Sequence, residues 1–340
     1  MQTNWIRMKK INSIWNELEQ DTSVIEGLII RRYSGTFLPD VFIGLKVPEQ
    51  YRCIVANIKA SSEINLIPYS NLKDILIELK ESQTETDKQV IIKLLNQRHR
   101  DIFSVLCEDL MESIKDISGK ETLIKELLNR FEKWKSLFDK FSPKGLTPQE
   151  QRGLYGELFM LRKFININSD KNYSVNTWVG CSGEIRDFQH AEWGIEVKTT
   201  HGNNHQKVQI SNERQLDTNN LKNLFLYHLS LDTRHGSGES LNQIVDAILN
   251  MLEDDMVAQN RFINKLMEAG FFENHRSFYS KEGYYIRQEK FYLVNGDFPR
   301  IEEKEIRAGV GDVSYTLVLA QCGNYILNED EVFAKIMKNE

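Results

Sequence analysis

Residues 185–200 read IRDFQHAEWGIEVKTT and contain two short stretches in which apolar and polar side chains alternate. Such alternation is typical of β-strands that bury one face. Because only a few residues separate the two stretches, the sequence predicts a bent β-hairpin, and we expect Gly194 to lie in its turn.

The second strand of this hairpin carries its charged residues on one face. Side chains alternate along a strand, so Glu196, Lys198 and Thr200 share a face. Ile195 and Val197 then point into a core. We therefore expect a carboxylate and an ammonium group to lie side by side on the polar face.

The first strand contributes another carboxylate to the same place. Pairing through the turn brings Asp187 close to Glu196, and two neighbouring carboxylates repel each other unless a proton or a cation lies between them. Mg²⁺ prefers a few carboxylate oxygens together with water and phosphate oxygens, so this cluster suits magnesium better than zinc. Lys198 would help to deprotonate or orient an attacking water and would offset negative charge in the transition state.

A helix upstream offers a third acid. Residues 147–150, Thr-Pro-Gln-Glu, combine an N-cap threonine, a proline at the first helical position and a capping-box glutamate, so a helix is expected from there to about Ile167. Glu157 falls at the edge of its buried stripe. Gly153 and Gly156 have no side chains, so the helix surface next to Glu157 would let the hairpin approach closely. Glu157 could then reach the same metal.

The plain alternative is that the Glu-x-Lys triplet forms only a surface ion pair on one strand face. A helix acid, a strand acid and the triplet follow one another within a short span, however, and this order favours a site for hydrolysis. Its members would be Glu157, Asp187, Glu196 and Lys198.

These residues carry a resemblance to a known family. Gly-Leu-Tyr-Gly-Glu157, Arg186-Asp187-Phe and Ile-Glu196-Val-Lys198, in this order, resemble the PD-(D/E)XK nuclease superfamily. Asp187 would match the aspartate of its motif, and Glu196 and Lys198 its E-x-K. Arg186 stands where the motif has proline. The resemblance implies an α/β (α+β) fold with a restriction-endonuclease-like mixed β-sheet flanked by helices.

The resemblance also implies a ligand set and a substrate. The metal would be bound by Asp187, Glu196 and the carbonyl of Val197, with Glu157 as an outer or water-mediated ligand and Lys198 assisting the water. Mg²⁺ would be the cofactor, and Mn²⁺ is expected to replace it. The substrate would be double-stranded DNA, whose phosphates usually contact hydroxyl and cationic side chains. Candidates for these contacts, each of which could equally be structural, are Thr199, Thr200, Lys207, Ser211 and Arg214.

A narrower resemblance covers most of the chain. Residues 153–158, 211–216 and 298–301 look like those of a bacterial family found near methyltransferases and ATPases in restriction and phage-defence loci. It implies a Mg²⁺-dependent DNA endonuclease of such a system, with a methyltransferase or an ATPase as partner. A homodimer is left open, because enzymes that cut both strands often pair two sites.

The composition restricts how this chain could bind DNA. A formal net charge of -6 argues against coating nucleic acid through an overall positive potential, so a DNA contact must be a local groove. The 4 cysteines are widely separated and lack zinc-type spacing, which favours a reducing, cytoplasmic compartment. No apolar run approaches the roughly 20 residues that a membrane-spanning helix needs.

Three segments are predicted along the chain. Residues 1–95 alternate short β-like stretches with polar breaks and would form an N-terminal β-rich domain. Residues 96–145 carry two helical patterns and would form a helical connector. Residues 146–340 would form the nuclease-like domain, which ends in strands and a helix.

Two other classes of function stay open. A nuclease-like fold could serve as a catalytically inactive DNA-binding or scaffold subunit of a defence complex, with the acids kept as an ion-pair network. A protein-interaction module would agree with the helical connector and the acidic net charge.

Overall fold

A computed structural model describes residues 3–62, 64–66, 74–81, 86–140, 145–202 and 206–337 of the chain. These residues form both helices and strands, which confirms the predicted α/β (α+β) class. The chain divides into two compact units, residues 1–143 and 144–340.

The first unit contains an antiparallel sheet. Its strands are β1 (Gly27–Arg32), β2 (Val41–Val47), β3 (Tyr51–Lys59), β4 (Ile75–Glu81) and β5 (Asp87–Leu94). Their order across the sheet is β1-β2-β3-β5-β4, and each neighbouring pair is antiparallel. Strands β2 to β5 match the β-like stretches of the sequence. Strand β1 gave no such signal, because its residues are partly or fully exposed and show no alternation.

The α-helices among the described residues of the first unit are α1 (Thr3–Gln20), α2 (Arg100–Ile114) and α3 (Lys120–Lys140). Trp15 of α1 is fully buried, and its indole N–H donates to the carbonyl of Gly44 on β2 at 3.1 Å. Helix α2 contacts α1 and α3, and α3 contacts β3. The two helical patterns of the predicted connector are thus α2 and α3. The division into residues 1–95, 96–145 and 146–340 stays a prediction.

The second unit combines a mixed sheet with helices. Its elements are α4 (Pro148–Ile167), α5 (Lys171–Thr177), β6 (Phe188–His190), β7 (Trp193–His201), β8 (Lys207–Ile210), β9 (Asn223–His235), α6 (Leu241–Met251), α7 (Met256–Glu268), α8 (Arg276–Tyr279), β10 (Glu282–Leu293), β11 (Tyr315–Val318), β12 (Ile326–Leu327) and α9 (Glu329–Met337). The main sheet has the order β12-β10-β9-β7-β6, in which β7 and β9 are parallel and the other pairs antiparallel. Strands β8 and β11 pair separately.

The two faces of the main sheet are buried by different partners. Ile195 and Val197 of β7 join the core cluster that contains the apolar side of α4. Leu224 and Leu226 of β9 belong to the other cluster, together with residues of β8 and β11. Because side chains alternate along a strand, Glu196 and Lys198 lie on the face that β8 and β11 cover.

Strands β6 and β7 form the predicted hairpin, with Phe188 opposite Ile195. Its turn is at residues 191–192, so the expectation that Gly194 lies in the turn is wrong. Gly194 lies within β7, and a Cβ there would be 2.9 Å from Cδ of Arg186. The glycine therefore makes room for a neighbouring side chain. Asp187 immediately precedes β6.

None of the described helices has both the length and the apolar composition required to span a bilayer.

Candidate active site

Helix α4 begins as predicted and carries Glu157 to the hairpin. The Thr147 hydroxyl accepts from the Glu150 N–H at 3.3 Å, and the Glu150 carboxylate accepts from the Thr147 N–H at 2.7 Å, which completes a capping box. A Cβ on Gly156 would lie 2.4 Å from Cγ2 of Thr199, so α4 and β7 approach closely at this glycine. Glu157 follows directly and lies beside the hairpin.

The carboxylate of Glu157 is held by an indole. Trp178, which follows α5, is fully buried, and its Nε1–H donates to Oε2 of Glu157 at 2.7 Å. The backbone of Trp178 forms an isolated β-bridge with Phe188 of β6. The loop after α5 therefore orients the acid of α4 and also contacts the strand that follows Asp187.

Asp187 is fixed from two sides. Its Oδ2 accepts from the Val197 N–H at 2.7 Å, while its carbonyl accepts from the N–H groups of Val179 and Gly180 at 2.8 and 3.0 Å. A Cβ on Gly180 would lie 2.6 Å from Oδ1 of Asp187. Strand β6 pairs with β7 only as far as Ile195, so the N–H of Val197 is available to this side chain.

Glu196 and Lys198 form the predicted pair on one strand face. Nζ of Lys198 lies 2.6 Å from Oε1 of Glu196, and the two side chains are 16% and 1% exposed. The other oxygen of Glu196, Oε2, is buried without a hydrogen-bond partner among the described residues. A buried carboxylate oxygen without a donor is costly, and a cation would satisfy it.

Each of the three acids has a raised pKa, with burial as the largest cause. Burial raises the pKa of Glu157 well above its usual value and Asp187 raises it further, although the Trp178 hydrogen bond opposes both. Burial raises the pKa of Asp187, and burial together with Asp187 raises the pKa of Glu196 to about 8. For Lys198, burial lowers the pKa, but the carboxylates of Glu196, Asp187 and Glu157 raise it and the net shift is upward. The carboxylates are thus close enough to resist joint ionisation.

The described residues contain no three His, Cys, Asp or Glu side chains that already stand as a metal-binding set. One oxygen of each acid is bonded within the protein: that of Glu157 to an indole, that of Asp187 to a backbone N–H, and that of Glu196 to an ammonium group. The unpartnered Oε2 of Glu196, among carboxylates that repel one another, nevertheless fits a hard divalent cation. The residues present therefore suit Mg²⁺.

The five residues suggested for phosphate contacts lie in different surroundings. The side chain of Thr199 faces Gly156 of α4, whereas Thr200 is buried on the other face and its hydroxyl lies 2.8 Å from Nε2 of His228. The N–H of Ser211 donates to the Gln215 side chain at 2.9 Å. Lys207 is exposed at the start of β8, and Arg214 is 47% exposed beside two carboxylates, those of Glu213 and Asp312. Their role in phosphate binding stays a prediction.

Local sequence patterns did not identify the residues that orient the cluster. Trp178 lies in a loop and its contact with Glu157 depends on the fold of α5, which no local pattern places. Arg186 was visible as the residue in place of proline, and Gln215 lies within residues 211–216, one of the stretches that carry the narrower resemblance. The resemblance of residues 211–216 was the feature of the sequence that could have identified Gln215.

Comparison with known proteins agrees with this geometry. A family model described as "Putative PD-(D/E)XK family member, (DUF4420)" matches residues 11–320. Searches of curated proteins and of solved structures each found no match to the chain.

Proposed function

The chain belongs to the DUF4420 family of the PD-(D/E)XK superfamily, and from this premise we propose that it is a Mg²⁺-dependent DNA endonuclease of a bacterial restriction or phage-defence system. Members of the superfamily are usually nucleases, and they generally use divalent metal ions. The observation that carries the proposal is the convergence of Glu157, Asp187, Glu196 and Lys198 on one buried cluster.

The proposed roles follow from the positions of these side chains. Asp187, Glu196 and the carbonyl of Val197 would hold the ion, and Glu157 would bind it directly or through water. A bound Mg²⁺ would polarise water and neutralise phosphate charge. The Lys198 ammonium, held 2.6 Å from Glu196, would orient the attacking water and offset the negative charge that develops on the phosphoryl oxygens.

Other parts of the proposal concern partners. Double-stranded DNA would be the substrate, and Mn²⁺ would replace Mg²⁺. A methyltransferase or an ATPase of a defence locus would supply sequence recognition or translocation, and a second copy of the chain would supply the second cut. The resemblance of residues 153–158, 211–216 and 298–301 to proteins of such loci supports this context.

The direct test is cleavage of supercoiled plasmid by the purified chain with Mg²⁺. We expect nicked or linear DNA that EDTA prevents. Lys198→Ala should lower the rate by roughly 10² to 10³, since one donor to a transition-state charge is lost. Lys222→Ala is the matched control, because Lys222 is exposed and pairs with Glu192 at 2.6 Å, away from the cluster. Equal cleavage by Lys198→Ala and the control would reject the assigned role.

A second candidate is a catalytically inactive DNA-binding or scaffold subunit. The ion pair between Glu196 and Lys198 and the absence of a preformed metal set among the described residues favour it. The assay would contain Mg²⁺ or Mn²⁺ and the methyltransferase or ATPase partner. Salt-dependent DNA binding without cleavage under these conditions would favour this candidate over the nuclease.

A further inference from the structure

Lys198 has a second neighbour besides Glu196. Its Nζ donates to Oε1 of Gln215 at 3.4 Å, and the same oxygen accepts from the backbone N–H of Ser211 at 2.9 Å. Both partners can only donate, so the Gln215 amide must present its oxygen and not its nitrogen to them. These two donors therefore determine the orientation of the Gln215 amide, and its oxygen faces the ammonium group.

Arg186, the residue before Asp187, forms hydrogen bonds with the backbone around Gln215. Gln215 lies in a short 3-10 turn, Glu213–Leu216, and the guanidinium of Arg186 donates to the carbonyls of Gln215 at 3.2 Å, Arg214 at 3.0 Å and Asp217. Arg186 is buried. One side chain thus ties the turn to the hairpin at three points.

We propose that Gln215 is a positioning residue for Lys198, and that Arg186 holds it in place; this rests on the proposed nuclease function. An ammonium group has three N–H donors. Glu196 and Gln215 accept two of them, which restricts the direction of Nζ and leaves the third for a phosphoryl oxygen or the attacking water. A lysine on a flexible stem and bound only to Glu196 would lack this constraint.

The proposal also explains the departure from the superfamily motif. A proline before Asp187 would shape the strand entry but has no side-chain donor. Arg186 supplies three hydrogen bonds to the turn that no proline could make. Arg186→Pro, which restores the motif, is therefore expected to lower cleavage rather than raise it.

The test uses Gln215→Met, which keeps the length of the side chain and removes the acceptor. We expect the cleavage rate at saturating DNA and Mg²⁺ to fall on the order of 10- to 100-fold, since small misplacement of a reacting group has effects of this size. The KM for DNA should be unchanged. Gln209→Met is the control, because Gln209 is an exposed glutamine of β8 that bonds to Ser314 and Thr316. Cleavage by Gln215→Met at the wild-type rate would overturn the proposal.

A second measurement separates this proposal from the nuclease function. Urea unfolding of Lys198→Met, Gln215→Met and the double variant forms a double-mutant cycle. If Gln215 holds Lys198, the double variant should shift the unfolding midpoint by less than the sum of the single shifts. Additive shifts would reject the contact even if the wild-type chain cleaves DNA. Non-additive shifts in a chain that cleaves no DNA would reject the nuclease function and retain the contact.

Discussion

Trp178 is the residue through which the loop after α5 acts on the acid cluster. Its N–H is the donor to Oε2 of Glu157, and partners that orient a metal ligand typically change metal affinity 10- to 100-fold when they are lost. We expect Trp178→Phe to weaken Mn²⁺ binding by roughly that factor, measured by calorimetry in the absence of DNA. The folded structure should remain, because a phenyl ring still fills most of the site.

Trp193 provides a matched control for this substitution. It is also fully buried in the second unit, but its Nε1 has no hydrogen-bond partner among the described residues. Trp193→Phe therefore removes a similar volume but no hydrogen bond to a carboxylate. If both variants bind Mn²⁺ equally well, Trp178 does not orient Glu157 toward a metal.

Glu196 makes the stability of the metal-free protein dependent on pH. Its pKa is about 8 in the folded chain against an ordinary value of 4.5, so the folded state binds this proton more tightly than the unfolded state. A raised pKa contributes stability that is fully present below pH 4.5 and is lost as the pH rises through about 8. We expect the free energy of unfolding in EDTA to fall across this interval, as measured by urea titration.

Glu196→Gln should reduce that fall, because an amide does not titrate, and the raised pKa of Glu157 and of Asp187 accounts for the part that remains. Mg²⁺ should raise the unfolding midpoint more above pH 8 than below pH 4.5, since protons compete with the ion for the same carboxylates. An identical pH dependence in Glu196→Gln and wild type would show that the titration belongs to other groups.

The contact between α4 and β7 depends on one of two neighbouring glycines. A Cβ on Gly156 would lie 2.4 Å from Cγ2 of Thr199, whereas a Cβ on Gly153 would meet nothing within 4 Å. We expect Gly156→Ala to destabilise the protein by about 1–3 kcal/mol through overpacking. Gly153→Ala should stabilise it by about 0.5–1 kcal/mol, because alanine is the better helix former.

Chemical denaturation of both variants checks this pair of expectations. Gly156→Ala should also lower cleavage, because it pushes the helix that carries Glu157 away from the hairpin. Similar stability of the two variants would mean that α4 can shift on β7 without cost, and that Gly156 does not set the position of the acid.

The elements that the sequence predicted well are those fixed by local rules. The capping box of Thr147 and Glu150 marks the start of α4, and alternation around Glu196 marks β7. Gly194 was misplaced because its role is to admit the side chain of Arg186, a tertiary contact that turn statistics do not contain.

The cluster of four was predictable because its members lie on elements that pair or pack locally. Strand pairing brings Asp187 to Glu196, and a bare helix surface admits Glu157. The contacts of Trp178 and Gln215 were not predictable, since both side chains come from loops whose path depends on the packed fold and not on periodicity.

A small basic group lies at the end of β7, although the net charge of the whole chain is negative. Partial burial, then Arg152 and Arg287, lowers the pKa of His201 at the end of β7, so these three residues lie close together. Arg287 is anchored by hydrogen bonds to the carbonyls of Gly202 and Leu231 at 2.9 and 3.0 Å. Neither arginine forms an ion pair with a carboxylate among the described residues. Cations gathered in this way suit a phosphate.

His201 lies three residues along β7 from Lys198, roughly 10 Å between their backbone positions at the rise of a strand, and its side chain points to the opposite face. A chain of net charge -6 that binds DNA needs such a local patch. We therefore expect Arg152→Ala to weaken DNA binding and to reduce the slope of log K against log salt by about 1, measured by fluorescence anisotropy with Ca²⁺ to prevent cleavage.

Lys222→Ala serves as the control, because Lys222 precedes the opposite end of the same strand pair: Asn223 lies beside Trp193, and Leu231 beside His201. The distance between the two ends is about 26 Å at the strand rise, well beyond a Debye length, so the control should leave the salt slope unchanged. An unchanged slope in Arg152→Ala would mean that DNA approaches the acid cluster from another side.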